Sequence, residues 1–341
     1  ILNLPLHLIL SFIIFYSISC ESPNKNIDNP NIIYILADDL GYGELGVYGQ
    51  KIIETPNIDS LAKKGLLFTD HYTGSPVCAP ARSVLMTGQH SGYTHIRNNG
   101  EWSERGDVWS FEAMFNDPSL EGQRPLPDST ITVAKVFKDN GYKTGMVGKW
   151  GLGAPHTNSI PNLMGFDFFY GYNCQRQAHT FYPTHLWKNT EKDILNNYIV
   201  EKQEGLDSGA DINSEESYKK YNQADYSATL MHNEALKFID DNKDSKFFLY
   251  YASPLPHLPL QAPKDWVDYY REKIGPEKPY TGRRYYPNQY PKATYAAMIS
   301  YLDQQVGEIV EKLKEIGKYE NTLIIFTSDN GPTHVEHVDI D

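Results

Sequence analysis

Four stretches of the chain share one hydrophobic pattern, a short apolar run that stops abruptly at polar residues. They are NIIYILADDLG at 31–41, YKTGMVGKWGLG at 142–153, KFFLYYASPLPH at 246–257 and TLIIFTSDNGP at 322–332. Near-continuous apolar runs of this length are typical of strands that are covered on both faces. The pattern therefore predicts four buried strands.

Segments with helical periodicity lie between these runs. Pro56 and Gly65 bracket one of them, Gly141 ends a second, and longer helices are predicted near 222–242 and 293–316. Alternating strands and helices predict an α/β fold, with a mostly parallel central sheet sandwiched by helices. Residues 98–127 and 155–220 have weak periodicity, so we expect long loops and short insertions there, over the sheet edge.

Composition narrows the class of protein. The chain has 341 residues, of which 40% are hydrophobic and 22% charged, and this favours one large globular domain. Its 43 acidic and 31 basic residues give a net charge of −12. Because binding to nucleic acid depends on basic surface, we expect no nucleic-acid partner.

The first twenty residues, ILNLPLHLILSFIIFYSISC, are an apolar run interrupted by Pro5 and His7. The run is too short and too broken for a transmembrane helix, so we interpret 1–20 as an incomplete export signal. SISC is similar to a bacterial lipoprotein cleavage box, which would make Cys20 a lipid anchor; ordinary signal cleavage nearby is the alternative. Residues 21–30 are predicted to be a polar linker. The expected location is the periplasm, the outer membrane or the medium.

Polar side chains close the first and last apolar runs. Asp38 and Asp39 end the first, and Asp329 and Asn330 end the last. Ligands of open α/β sheets bind beyond the carboxyl ends of the strands. Three carboxylates and an amide brought together there would repel one another without a cation, and an all-oxygen set suits Ca²⁺ or Mg²⁺. Ordinary turn chemistry is the alternative, but two such motifs that each close a buried strand favour a metal.

Cationic side chains are predicted beside these acids. Lys149 and His257 end the two middle runs, and Arg82 follows Cys78 by four residues. Cations beside a metal suit a multiply charged oxyanion whose leaving oxygen needs a proton. A helix that begins at Ala79 would place Cys78 and Arg82 on one face, and its N-terminus would favour negative charge on the cysteine. A small buried hydrophobic residue is the other interpretation of Cys78.

The second cysteine of this region, Cys174, is almost a hundred residues from Cys78. An oxidising compartment would allow the two to pair, but one distant pair is not a disulfide framework and has no metal-ligand spacing.

The ordered series LADDLGYGELGVYG, TPNIDSLAKKGLLFTDHYT, CAPARSVLMTG, GYKTGMVGKWGLG, SPLPHLPLQAP and TSDNGP resembles the type I sulfatases of the alkaline-phosphatase-like superfamily. The resemblance runs from about Asn29 to the last residue. It implies an alkaline-phosphatase-like sulfatase fold, with 31–341 as its N-terminal catalytic domain, and hydrolysis of sulfuric esters. In this family a maturase oxidises the cysteine of C-x-P-x-R, here Cys78, to formylglycine, whose hydrate attacks sulfur.

The resemblance also implies a role for each matching residue. Arg82 matches the arginine that holds the formylglycine hydrate, Lys149 the lysine that contacts sulfate, and His257 the histidine near the leaving-group oxygen. The residues that match calcium ligands are Asp38, Asp39, Asp329 and Asn330, with modified Cys78 completing the shell.

The chain departs from the family pattern in two places. Gly151 in GKWGLG stands where many relatives have a histidine that contacts the formylglycine, and His156 or His179 is a candidate substitute. The family also has an active-site lysine soon after D-N-G and a small C-terminal subdomain, and neither precedes Asp341. We therefore expect a chain truncated at both ends, with poor stability and little activity as written.

The substrate is predicted only by resemblance to the exported sulfatases of marine and gut bacteria that act on sulfated polysaccharides. Arg and His side chains in the two weakly periodic regions suit acidic sugars, and aromatic rings suit stacking on them, although local hydrogen bonds explain any single one equally well. Two rivals remain, a phosphoester or phosphonate hydrolase of the superfamily and a non-catalytic glycan-binding lipoprotein. The candidate substrate contacts are His95, Arg97, Asn98, Gln175, Arg176, His179, Tyr182 and Trp187.

Overall fold

The structure is a computed structural model that describes residues 29–332 except 203 and 283. At its centre is a seven-stranded sheet in the order β5-β4-β3-β2-β6-β1-β7. The strands are β1 Asn31–Ala37, β2 Lys143–Lys149, β3 Phe168–Tyr172, β4 His185–Lys188, β5 Glu191–Ile194, β6 Phe247–Ala252 and β7 Thr322–Ser328.

The four predicted strands are confirmed and form one parallel block. β1 lies between β6 and β7, and β2 pairs with the other edge of β6, all in parallel. The register places Ala37 beside Ser328, and both Leu36 and Gly148 beside Ala252. The carboxyl ends of all four strands therefore meet at one edge of the sheet.

The prediction of long loops and short insertions at 155–220 was incomplete, because this region also contributes three strands to the sheet. β3 pairs in parallel with β2, β4 pairs antiparallel with β3, and β5 pairs antiparallel with β4. β3 is a short apolar run, FFYGY, but β4 and β5 have only four residues each and include charged ones, so they carry no continuous apolar run. They form because the open edge of β2 supplies backbone hydrogen-bond partners, which local pattern does not reveal.

Helices cover both faces of the sheet, as predicted. On one face Ile33 and Ile35 of β1 belong to a core cluster with buried residues of the two longest helices, and on the other face Leu36 packs in a second cluster with Met146 and Phe166. The helices are α1 Pro56–Lys64, α2 Cys78–Thr87, α3 Phe111–Asn116, α4 Val133–Asp139, α5 Ser227–Asp241, α6 Lys264–Ile274 and α7 Pro291–Glu315.

Among the residues described, no helix combines the length and apolar character needed to cross a membrane. The predicted export signal at 1–20, the anchor at Cys20 and most of the linker at 21–30 lie outside the described residues.

Candidate active site

The turns after β1 and β7 bring three aspartates together in the interior. The backbone N–H of Asp329 donates to the carbonyl of Ala37 at 3.0 Å, and that of Asp39 donates to Oδ1 of Asp329 at 3.2 Å. Asp39 has a left-handed backbone with φ of 61°, which turns the chain directly after Asp38. All three side chains are buried, so their charges are poorly screened by water.

Helix α2 presents Cys78 and Arg82 to these aspartates. The helix begins at Cys78, one residue earlier than expected, and Arg82 follows one turn later. Oδ1 of Asn99 accepts a hydrogen bond of 2.7 Å from the N–H of Ala79, so it satisfies one of the unpaired donors of the first turn. No motif marks Asn99, because it contacts α2 from a separate loop.

The thiol of Cys78 lies against two carboxylates. Sγ is 3.2 Å from Oδ1 of Asp38 and 3.6 Å from Oδ1 of Asp39, and it accepts from Nδ2 of Asn330 at 3.7 Å. Burial and the charge of Asp38 raise the pKa of Cys78 well above its ordinary value. Desolvation and the carboxylates therefore outweigh the helix N-terminus, which by itself favours negative charge on this cysteine.

Two buried cations neutralise the aspartates. Nε and Nη2 of Arg82 lie 3.0 and 2.9 Å from Oδ2 of Asp329, and Nη2 lies 3.6 Å from Oδ1 of Asp38. Nζ of Lys149 donates to Oδ2 of Asp38. Burial opposes ionisation of Asp38, yet Lys149 and Arg82 hold its pKa well below the ordinary value. The structure thus maintains an ionised carboxylate in the interior.

The pKa of Asp329 is shifted in the opposite direction, because burial and the charge of Asp38 raise it above the ordinary value. Crowded carboxylates of this kind are what a divalent cation relieves. Ligand atoms of Asp38, Asp39, Cys78 and His257 all lie within 4.8 Å of one another, close enough to surround one ion. Because most of the donors in and beside this group are oxygens, the residues fit Ca²⁺.

His257 lies at the open side of this cluster, beyond the end of β6. Its Nδ1 is 2.6 Å from the carbonyl oxygen of Leu258, which can only accept, so Nδ1 carries the proton. Nε2 lies 3.4 Å from Oδ2 of Asp39. The ring therefore presents Nε2 to the cluster as the atom that can take or give a proton.

Gly151 marks the first departure from the family pattern. Its φ is +72°, which favours glycine, and a Cβ built there would lie 2.1 Å from Nε2 of Gln175, so a histidine would strain the backbone and displace the Gln175 amide. Nε2 of Gln175 is buried and has no hydrogen-bond partner among the described residues. Of the two candidate substitutes, His179 stacks on His257, whereas His156 is exposed and meets Trp187.

The candidate substrate contacts at 95–98 are on an exposed turn. Nε and Nη2 of Arg97 donate to the carbonyls of Thr94 and Gly92, and Oδ1 of Asn98 accepts from the N–H of Gly100. His95 is exposed on the same turn. These contacts are local, as expected if the residues shape the turn.

The candidates further along the chain are mostly interior. Nε of Arg176 donates to the carbonyl of Trp109 at 3.0 Å, and its guanidinium lies over two aromatic rings. Trp187 is only 3% exposed and donates to Glu121, while Tyr182 is buried against Tyr226. The expectation that Tyr182 and Trp187 stack on sugar rings is therefore wrong, since neither ring faces solvent.

One cation near the site had no signal in the sequence. Nζ of Lys202 lies 3.0 Å from Nδ1 of His179, and the ring of His179 stacks on that of His257. Lys202 belongs to an irregular segment without a motif, and only the tertiary structure brings it to the site.

A model of the family described as Sulfatase matches residues 30–339. An arylsulfatase of Klebsiella aerogenes is 28% identical over 337 residues, which cover 89% of this chain and 66% of the relative. Arylsulfatase A of Homo sapiens is 33% identical over 316 residues, with 89% and 52% of the two chains covered.

The fold is also similar to that of solved sulfatase structures. The crystal structure of Ps i-CgsB in complex with k-i-k-neocarrahexaose superposes with a TM-score of 0.65 at 29% identity, and the match covers 90% of this chain and 59% of that one. The chain thus spans two thirds or less of the length of these relatives. The family model matches nearly all described residues, so the chain belongs to the sulfatase family, the type I sulfatases of the alkaline-phosphatase-like superfamily.

Proposed function

We propose that this chain is the catalytic part of a calcium-dependent sulfuric ester hydrolase that uses formylglycine made from Cys78. The observation that carries the proposal is the buried contact of Cys78 with Asp38 and Asp39, backed by the ion pairs of Arg82 and Lys149. A buried sulfur in contact with two carboxylates is a poor nucleophile toward an anionic sulfate ester. The site therefore suits a cysteine that is converted to another group before the enzyme acts.

The metal and the modified residue would lie next to each other in the site. Asp38, Asp39, Asp329 and Asn330 would hold Ca²⁺, which supplies Lewis-acid polarisation of the sulfate oxygens when bound. Formylglycine at position 78 would supply a hydroxyl nucleophile in its hydrated form. We assign His257 to proton transfer rather than to the metal, because Ca²⁺ prefers oxygen ligands.

Arg82 and Lys149 position and neutralise the charged groups. Arg82 bridges α2 to the turn after β7 through Asp329, and its Nη1 donates to the carbonyl of Lys149. This bonding holds both cations at fixed positions in a water-poor interior, where their stabilisation of a sulfate ester strengthens. We infer that Lys149 orients the sulfate and that Arg82 orients residue 78.

His257 supplies the proton that the departing alcohol needs. Hydrolysis breaks the bond between sulfur and the ester oxygen, adds the elements of water, and releases an alcohol and inorganic sulfate. A protonated Nε2 of His257 can donate to the ester oxygen, while the Nδ1 proton stays bonded to Leu258.

We propose a sulfated carbohydrate, poly- or oligosaccharide, as the substrate. The relative Ps i-CgsB, at 29% identity, was solved with a neocarrahexaose, and this supports a glycan ligand for the present chain. We further propose export directed by 1–20, with a lipid anchor at Cys20. Loss of acyl labelling and of membrane association in Cys20→Ser would test the anchor.

A mass spectrum of the tryptic peptide GLLFTDHYTGSPVCAPAR, residues 65–82, tests the proposal most directly. The peptide should be taken from the full-length protein purified from its native host. We expect a mass that matches formylglycine at position 78, together with release of sulfate from a small aryl sulfate. An unmodified thiol with no turnover would favour the glycan-binding protein. Faster turnover of phosphate or phosphonate esters would favour the other hydrolase.

A further inference from the structure

Three rings and one ammonium group form a continuous surface beside the candidate active site, here called the Lys202 wall. It consists of His257, His179, Tyr285 and Lys202. The rings of His179 and His257 stack with centroids 5.3 Å apart and planes 6° from parallel. The ring of Tyr285 meets both histidines edge-on, at 5.4 and 6.1 Å. Since His257 reaches Asp39, the wall begins at the proposed reacting centre.

The wall also reaches solvent. His179, Lys202 and Tyr285 are half-buried, in contrast to the fully buried cations of the aspartate cluster. Nζ of Lys202 lies 3.0 Å from Nδ1 of His179 and 4.4 Å from the centroid of Tyr285. An ammonium group only donates, so Nδ1 of His179 accepts and its Nε2 carries the proton. The wall thus combines one positive charge with a second N–H donor.

Lys202 differs from Lys220, which is also half-buried and pairs with Asp207 at 2.8 Å. Over residues 29–332, leaving aside 203 and 283, no carboxylate lies within ion-pair distance of Lys202. The charges of Arg176 and Arg284 act on it instead, and burial together with these arginines lowers its pKa to about 8.

A half-buried ammonium group surrounded by other cations is unfavourable until an anion joins it. The anion must arrive from solvent, which the half-buried side chains of Lys202 and Tyr285 reach. A sulfated glycan that places its scissile ester at the aspartate cluster would extend its sugar along this wall. Tyr285 and His179 offer apolar ring edges and an N–H for such a sugar.

We propose that Lys202 binds a second oxyanion of the glycan, a sulfate ester or a carboxylate next to the scissile sulfate. This inference rests on the proposed function and deepens it, because it makes the enzyme selective for sugars that carry more than one acidic group. A purely structural role, in which Lys202 only supports His179 against His257, is the competing explanation.

The test compares Lys202→Met with Lys192→Met in the full-length, formylglycine-containing protein. Lys192 is a matched control, because it is also half-buried and its ammonium group also lies over an aromatic ring, 5.0 Å from the centroid of Phe115. It donates to a backbone carbonyl at 2.6 Å and belongs to β5 instead of the Lys202 wall. Four substrates are needed: a small aryl sulfate, a monosulfated neutral oligosaccharide, its disulfated counterpart and its counterpart with one uronate.

We expect Lys202→Met to reduce kcat/KM on a doubly acidic oligosaccharide about tenfold more than on the monosulfated one, as loss of a charged hydrogen bond predicts. The arm that shows the larger effect, disulfated or uronate, identifies the second anion. Lys192→Met should leave all four substrates unchanged.

Equal losses on all substrates, or no loss on any, would overturn the inference, because a support for His179 affects every substrate alike. In either case wild-type turnover of the aryl sulfate would leave the proposed function standing. A wild-type protein that cleaves no sulfate ester would overturn both.

Discussion

Two groups of buried acids lie in this protein, and they are stabilised in opposite ways. Asp38 and Asp329 at the strand ends contact the cations Lys149 and Arg82. The second group consists of Glu101 and Glu121, which belong to the segment 98–127 and are also buried. Each group adjoins one of the two described cysteines, Cys78 in the first and Cys174 in the second.

Neutral hydrogen-bond donors contact most of the carboxylate oxygens of the second group. Glu121 accepts from Nε1 of Trp187 at 2.7 Å and lies 3.2 Å from Nε2 of His185. Glu101 accepts from the backbone N–H of Arg176 at 2.9 Å and from the amide of Gln123. Burial raises the pKa of Glu101 to about 8, whereas cations hold that of Asp38 low.

The difference shows that burial alone does not identify a catalytic acid. A carboxylate that must stay ionised in the interior needs cations or a metal, and both are expensive to place there. A carboxyl group that only connects loops can be satisfied by amide, indole and backbone N–H groups. Both groups contain a buried cysteine and buried acids, so the nature of the partners separates the site from the scaffold.

The largest expected effect separates the two cysteines. Cys78→Ala should abolish sulfate release, with a loss of about a thousandfold or more, since it removes the proposed nucleophile. Cys174→Ala is the matched control, because Cys174 is equally buried and its pKa is likewise raised. It should keep turnover and lose only stability. Aryl sulfatase assays of both variants check this, and comparable turnover in the two would contradict the assignment.

Removal of a cation from the first group should be the next largest effect. Lys149→Met leaves Asp38 with Arg82 as its remaining strong partner, so we expect a loss of about 3–5 kcal/mol in the free energy of unfolding. Chemical denaturation with a chelator present would measure it. Added Ca²⁺ should recover part of the loss, because the ion would replace the missing positive charge. Unchanged stability in the chelated protein would contradict this account of the group.

The raised pKa of Glu101 predicts a pH dependence of stability. The unfolded chain releases this proton near the ordinary value of 4.5, but the folded protein keeps it until about pH 8. Stability should therefore fall as the pH rises between these values and level off above. Glu101→Gln should remove this part of the slope and gain on the order of a few kcal/mol at pH 8.

Denaturation curves at pH 5 and pH 8 would measure the effect. Glu104→Gln is a suitable control, since Glu104 is an exposed acid that pairs with Arg124. It should leave the slope unchanged. A wild-type slope that persists in Glu101→Gln would show that another group carries it.

The smallest effect is expected when Glu121 of the second group loses one hydrogen-bond donor. Trp187→Phe removes the indole N–H that donates to Glu121 and should cost about 1–3 kcal/mol of stability. Turnover of an aryl sulfate should not change, because Glu121 belongs to the scaffold. Thermal unfolding and kcat measured on one preparation would check the loss of stability and the unchanged turnover. A loss of kcat without a loss of stability would show that Glu121 and Trp187 belong to the active site.

The sequence by itself determined the parallel block and its functional edge. Four apolar runs became β1, β2, β6 and β7, because continuous burial on both faces leaves a local mark on composition. Parallel strands bring their carboxyl ends to one edge, so the positions of Asp38, Asp39, Asp329 and Asn330 followed from the same pattern. The assignment of Cys78 rested on a motif, and motifs too are local.

Only the tertiary structure decided what depends on distant partners. β3, β4 and β5 form because an open strand edge accepts them, and the contact of Lys202 with His179 exists because two irregular segments meet. The ionisation of Cys78 depends on distant partners as well. Its pKa depends on the distance to Asp38, forty residues earlier, and to Asp329, near the other end of the described chain. Electrostatic energy in a poorly screened interior follows distance in space rather than in the chain.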